Sequence, residues 1–148
     1  MKIIKMTIRL ILSMTIIIVL NQGCKKYEEG PMISLRSKTE RVANTWKVEK
    51  YIKNGVDETA DRNSKKINYI ETFTKDGVWS YSYTADNGDY KADVGKWEFD
   101  KNSKKKEIDR NAGGSTWEEL HILKLKEKEF WFWYMDSGDK KEFHLIPN

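Results

Sequence analysis

From Thr45 to Ile146 the chain switches between apolar and polar positions in short runs rather than at helical spacing. Trp97 and Phe99 sit on one parity, with Lys96, Glu98 and Asp100 on the other; Phe143 and Leu145 alternate with Glu142 and His144, and Leu123 and Leu125 with Lys124 and Lys126. The runs are rich in aromatic and β-branched residues and are bounded by turn signals, among them Asn54-Gly55, Lys75-Asp76-Gly77, Asp86-Asn87-Gly88-Asp89 and Asp136-Ser137-Gly138-Asp139. This pattern predicts eight strands, over 45–53, 66–74, 78–85, 92–100, 104–110, 116–125, 129–135 and 140–146. Residues 36–43 predict one or two helical turns, and nothing after them reads as helix. A strand with one apolar face must bury it. With no helix to cover a sheet, a sandwich or a closed barrel remains, and the short connections favour the barrel. The expected fold class is therefore all-β, an eight-stranded antiparallel up-and-down barrel with a short N-terminal helical turn.

Parity also assigns the faces. Trp46, Val48 and Ile52 share one face of the first strand, interrupted by Lys50; Tyr69, Glu71 and Phe73 share one face of the second. An inward Glu71 requires a partner. The strand 78–85 is open. A two- or four-residue turn at 74–77 directs Ser80 and Ser82 inward, and a three-residue turn with a left-handed Gly77 directs Trp79, Tyr81 and Tyr83 inward. In Phe130-Trp131-Phe132-Trp133-Tyr134 both faces are aromatic, so one set fills the interior and the other lies outside, under a covering segment or exposed to a partner or a sugar ring. The residues expected to line a binding cavity are Tyr69, Glu71, Phe73, Tyr81, Trp97, Phe99 and Phe132.

The first 23 residues differ in kind. They contain no acidic and no aromatic residue, three cations (Lys2, Lys5, Arg9) and the apolar stretch LILSMTIIIVL over 10–20. This is the layout of a secretory signal peptide, with an apolar stretch shorter than the roughly 20 residues of a membrane span. Without it, 24 Lys and Arg face 23 Asp and Glu, so the body is near neutral and offers no basic face for nucleic acid. Gly23-Cys24 resembles a bacterial lipoprotein lipobox, which implies that Cys24, the only cysteine, carries the lipid attachment. Asn21 stands where that pattern prefers Leu, as in the looser lipoboxes of Bacteroidota-type bacteria. Residues 24–35 then form a lipid-anchored tether and 36–148 the barrel domain. Lys26-Tyr27-Glu28-Glu29 is similar to the charged signal that sends some such lipoproteins to the cell surface, and it reads equally well as a solvated linker.

The Cys24-Lys25-Lys26 start, the Asn44-Thr45-Trp46-Lys47-Val48 strand opening, the Phe73-Thr74-Lys75-Asp76-Gly77 hairpin and Gly95-Lys96-Trp97, in that order, resemble the lipocalin-like lipoproteins of Bacteroidota-type bacteria over residues 24–148. The resemblance implies an outer-membrane location, facing either side, and a barrel that binds a small molecule. Two features depart from true lipocalins: Asn44 replaces the Gly of their Gly-x-Trp, and no Arg follows Arg110 to cap Trp46, which leaves Arg36 or Arg41 for that task.

Little in the sequence suggests catalysis. There is no nucleophile elbow, phosphate-cradling glycine loop or HExxH motif. Glu118 and Glu119 are neighbours on a strand and point to opposite faces. His121 and His144 fall on the sixth and eighth strands with the seventh between them, so no metal and no cofactor is expected. The reading is a monomeric, non-enzymatic envelope protein, held to the membrane through its N-terminal lipid, that binds a small apolar ligand in or at the mouth of the barrel. The alternative is a surface-displayed module that binds glycan or protein through exposed aromatics.

Overall fold

A computed structural model describes residues 35–100, 107–111 and 116–148. The signal segment 1–23, Cys24, nearly all of the tether and the Lys104-Lys105-Lys106 run lie outside the described residues. A one-turn helix, α1 (Lys38–Val42), leads into β1 (Asn44–Lys53). A two-residue strand, β2 (Val56–Asp57), and a second helix, α2 (Thr59–Lys65), come next, followed by β3 (Lys66–Phe73), β4 (Val78–Ala85), β5 (Tyr90–Phe99), β6 (Glu107–Asn111), β7 (Glu118–Leu125), β8 (Phe130–Asp136) and β9 (Asp139–Pro147). From β3 onward each strand pairs antiparallel with the next, β3 pairs with β1, and β9 returns to β1 from Trp46↔Pro147 to Lys53↔Lys141. The meander therefore closes into an eight-stranded antiparallel barrel. β2 is a flap on the end of β1.

Turn chemistry sets the registers. Asn54-Gly55 and Ser137-Gly138 both have positive φ at the two central positions, the backbone that joins twisted antiparallel strands in two residues. At 74–78 the Thr74 amide donates to the Val78 carbonyl at 2.9 Å, and Gly77 is left-handed at φ 87°. This is the three-residue turn, and it decides the phase of β4. Phe73 pairs with Trp79 and Glu71 with Tyr81, so the aromatics face inward and Ser80 and Ser82 outward. A Cβ on Gly77 would lie 3.2 Å from the Trp97 carbonyl oxygen, so glycine is required for space as well as for φ.

Among the described residues three bulges break the simple alternation. Each places one extra residue in a strand and moves every later residue to the opposite parity. One at Glu49 leaves Val48 opposite Leu145 and Lys50 opposite His144. Tyr51, not Ile52 as parity predicts, therefore faces the interior, buried against Phe143. One at Leu123 sends Ile122 and Leu125 inward; Leu123 is displaced from the face it was expected to share with Leu125. The third lies between Ile67 and Ile70, where Asn68 has φ 52° and Tyr83 lies opposite both Asn68 and Tyr69.

The core fills the end of the barrel where β1 begins. Trp46, Phe73, Ile108, Leu120, Leu125, Phe130, Phe132 and Leu145 are essentially inaccessible. Phe130 lies 5.8, 5.7 and 5.0 Å from the rings of Trp46, Phe73 and Phe132. α1 closes this base. Ser37 and Glu40 form a reciprocal capping box, the Trp46 indole donates to the Val42 carbonyl at 2.8 Å, and the buried Arg41 guanidinium donates to the Leu125 carbonyl at 2.8 Å. Of the two cations expected near Trp46, Arg41 ties α1 to β7 and Arg36 pairs with Glu127 at the surface.

α2 corrects the expectation that no helix follows α1. Its seven residues, TADRNSK, are polar on every side, so no apolar stripe announced it. It is pinned to the opposite end of β1. Thr59 Oγ1 donates to Asp57 and accepts the Tyr51 amide at 2.9 Å, and the Glu58 amide donates to the Tyr51 carbonyl. From there Arg62 reaches into the barrel and is buried. Among the described residues no helix is long and apolar enough to cross a membrane.

Candidate functional site

The barrel is solid at its base and hollow at its mouth. There a cavity of about 410 Å³ is lined by Lys66, Tyr69, Trp79, Tyr81, Arg110, Asn111, Thr116, Glu118 and Tyr134, contributed by five strands and the approach to β7. A second recess of about 290 Å³ lies beneath α2, walled by Tyr51, Arg62, Phe143 and others, and meets the first at Lys66 and Tyr134. The Asn68 bulge makes this wall possible. It lets Lys66 and Tyr69, three positions apart, both face inward while Ile67 stays exposed.

A buried ion pair forms the floor. The Arg110 Nη1 and the Trp79 Nε1 (2.6 Å) both donate to Glu71 Oε1, and Arg110 Nε donates to Glu118 Oε2 at 2.9 Å. Glu71 and Arg110 are 1% and 5% exposed. Burial pulls the Arg110 pKa down, but the Glu71 carboxylate and the surrounding tyrosines raise it overall, so the guanidinium is charged at any working pH. The guanidinium lies 4.7 Å from the Trp79 ring centre and 5.0 Å from that of Tyr134. Glu71 Oε2 has no hydrogen-bond partner. Above the floor, Tyr69, Tyr81 and Tyr83 cluster in a triangle, with ring centres 6.1, 6.2 and 6.1 Å apart; Tyr81 lies within 18° of parallel to each of the others, which are tilted 36° to one another. Burial raises the Tyr69 phenol well above its ordinary pKa and pushes Tyr134 up to about 12.

Arg62 is compensated differently. Its guanidinium carbon lies 4.2, 5.2 and 5.7 Å from the centres of Tyr69, Phe143 and Tyr51. No carboxylate pairs with it among the described residues, and its Nη1 is buried without a partner. Burial lowers its pKa, which Tyr69 and Glu71 offset only in part. A desolvated ring face attracts a cation by about 2 kcal/mol or more, whereas taking an ion out of water costs several kcal/mol. The rings also cannot accept all of its N–H groups in plane.

Of the residues expected to line the cavity, Tyr69 and Tyr81 do so, and Glu71 lies in the floor. Phe73, Trp97 and Phe132 are buried in the core below, and Phe99 packs against that core. Trp79 and Tyr134 were each one side of an open alternative in the sequence, and Arg110, Lys66 and Arg62 were not expected on the lining. Arg110 carried a readable signal: it shares parity with Ile108, and Glu71 was already in want of a cation.

The outward set of the aromatic strand is Trp131 and Trp133. Among the described residues no separate segment shields them; their neighbours on β7 and β9 do. Trp131 stacks on His144 at 3.9 Å with Lys124 Nζ 3.4 Å from its centre, and Trp133 stacks on His121 at 4.0 Å with Lys140 at 4.7 Å. Among the described residues no group of three or more His, Cys, Asp or Glu is placed to hold a metal ion.

The fold is shared with a lipocalin-like protein from Bacteroides uniformis. That crystal structure is 14% identical, with a TM-score of 0.52 over 73% of this chain and 99% of the other. At this identity the likeness is one of fold. No protein-family model and no curated protein matches the chain.

Proposed function

We propose that this is a lipid-anchored, non-enzymatic protein of the outer membrane that binds one small molecule at the mouth of its barrel. The observation that carries the reading is the cavity of about 410 Å³, a volume in the range of small-molecule sites. It has an aromatic wall and a few convergent polar groups above a closed hydrophobic base. The apolar ligand expected from the sequence becomes, against this lining, a planar molecule with a polar edge. Tyr69, Tyr81, Trp79 and Tyr134 offer ring faces, and Lys66, Arg110, Asn111, Thr116 and Glu118 offer hydrogen bonds. Calorimetric titration with planar probes tests it. Micromolar binding that weakens at least about tenfold in Tyr81→Ala supports the site; no binding by any of them overturns it. For the anchor, Cys24→Ser releases the protein to the soluble fraction or leaves it uncleaved, and unchanged membrane fractionation would contradict the lipid.

A second reading, a cell-surface module for glycan or protein, is favoured by Tyr90 and Trp117, which are 71% and 43% exposed at the mouth end. Protease treatment of intact cells separates the two: a protein cut only after the outer membrane is opened is not displayed.

A further inference from the structure

The floor and the α2 recess differ in how their arginines are matched. Arg110 is held by two carboxylates. Arg62, 7% exposed, has none, and its Nη1 lacks any hydrogen-bond acceptor. The carboxylate that acts on it is Glu71, through charge and without a hydrogen bond; Glu58 and Asp61 line the same recess, neither pairs with it, and Asp61 is engaged with Lys65 at 2.8 Å. Lys66, where the two recesses meet, adds a second cation and has no carboxylate of its own among the described residues; its Nζ lies 5.0 Å from the Tyr83 ring centre. The mouth therefore holds a buried guanidinium with an unmet donor, and the exposed Lys66 at its rim, beside three clustered tyrosines. A buried cation lacking an acceptor is stabilised by whatever anion can reach it.

We propose that Arg62 is the anion-recognition residue of the mouth, and that the ligand is a planar organic acid whose carboxylate pairs with Arg62 while its ring system lies against the tyrosine wall. This rests on the ligand-binding reading above and names its ligand class. The two recesses adjoin, so a molecule with its ring in the larger one reaches the smaller one with its acid group. Lys66 at the junction guides the carboxylate inward.

The test uses the mature protein and three probes of one shape, 2-naphthoate, 2-naphthamide and 2-naphthylmethylamine, titrated calorimetrically at one ionic strength. Naphthoate is expected to bind about tenfold or more tighter than the amide, as a charge-assisted contact in a dry site requires, with the amine weakest. Arg62→Met, which keeps the side-chain stem, is expected to erase that gap and leave amide binding in place. Equal affinities for naphthoate and naphthamide in the wild-type protein overturn the proposal and leave the mouth as a ligand site; this comparison needs no variant to fold. It is also the outcome if Arg62 is satisfied internally by the open oxygen of Glu71. Binding of none of the three overturns the ligand-binding reading itself. A naphthoate preference that persists in a folded Arg62→Met protein moves the anion contact to Lys66 or Arg110 and overturns the assignment to Arg62.

Discussion

At the base of the barrel, Trp46, Phe73, Phe130 and Leu145 are packed out of reach of solvent, and α1 is tied there by the Trp46 indole and by Arg41. At the mouth, strands of the same sheet turn Lys66, Glu71, Arg110 and three tyrosines inward, and α2 adds Arg62. The difference lies in what each end does with charge. The base keeps its interior apolar, which is the inexpensive way to be stable, and satisfies its one buried guanidinium, Arg41, on the Leu125 carbonyl. The mouth buries two guanidiniums and one carboxylate, an arrangement that apolar residues of similar volume often match or better for stability. Such an arrangement beside a cavity is what the proposed binding site would use.

The comparison can be broken most forcefully at the base. Phe130→Ala should lower unfolding free energy by about 4 kcal/mol in urea denaturation, since no polar group or water can fill the space among Trp46, Phe73 and Phe132, and probe affinity per folded molecule should not change. If affinity falls in step, the two ends are not separable. At the mouth, Glu71→Leu should cost about 3 kcal/mol because Arg110 is left buried beside only the half-exposed Glu118, while Glu71→Leu with Arg110→Met should return to within about 1 kcal/mol of the wild type. A double variant as unstable as the single one would make the pair structural. Gly77→Ala, in the hairpin at the base, should cost about 1–2 kcal/mol from its left-handed φ and the close Trp97 carbonyl, read as a shift in melting temperature with little effect on binding.

The smallest effect is one of pH. The Tyr134 phenol sits at about 12 in the folded chain against 10.0 ordinarily, because burial disfavours its anion. Its contribution to stability is complete below pH 10 and is lost as the pH rises from 10 to 12, when the unfolded chain ionises and the folded one resists. Tyr134→Phe should therefore track the wild type at neutral pH and lose less stability over that alkaline interval. Parallel curves would show that the mouth is wetter than its packing implies.

Much of this was legible in the residues. Turn signals and β-rich runs located all eight barrel strands to within a few positions and closed them into a cylinder, because glycine and asparagine at left-handed positions and alternating aromatics have few other uses. Glu71 could be seen to need a partner, and Arg110 was readable beside Ile108. Other features were not. The phase of β4 depended on the difference between three and four residues at Gly77, which composition does not settle. The bulges at Glu49, Asn68 and Leu123 leave no mark in hydrophobicity, so Tyr51 and Lys66 were placed on the wrong face or passed over. α2 was hidden because its stability comes from Asp57, Thr59 and the reach of Arg62 rather than from an apolar stripe.

The same bulges have a consequence for how such barrels diverge. Each absorbs one residue locally, so the strand before it and the strand after it keep their facing whether or not that residue is there. They work as expansion joints. A descendant could lose Asn68 and keep Lys66 and Tyr69 on the lining, whereas losing Thr72 from the regular ladder would put Phe73 on the opposite face from Glu71. Length variation among chains of this shape should therefore collect at three places within the strands as well as in the loops, and an alignment that forbids gaps in strands would misplace the lining in distant kin.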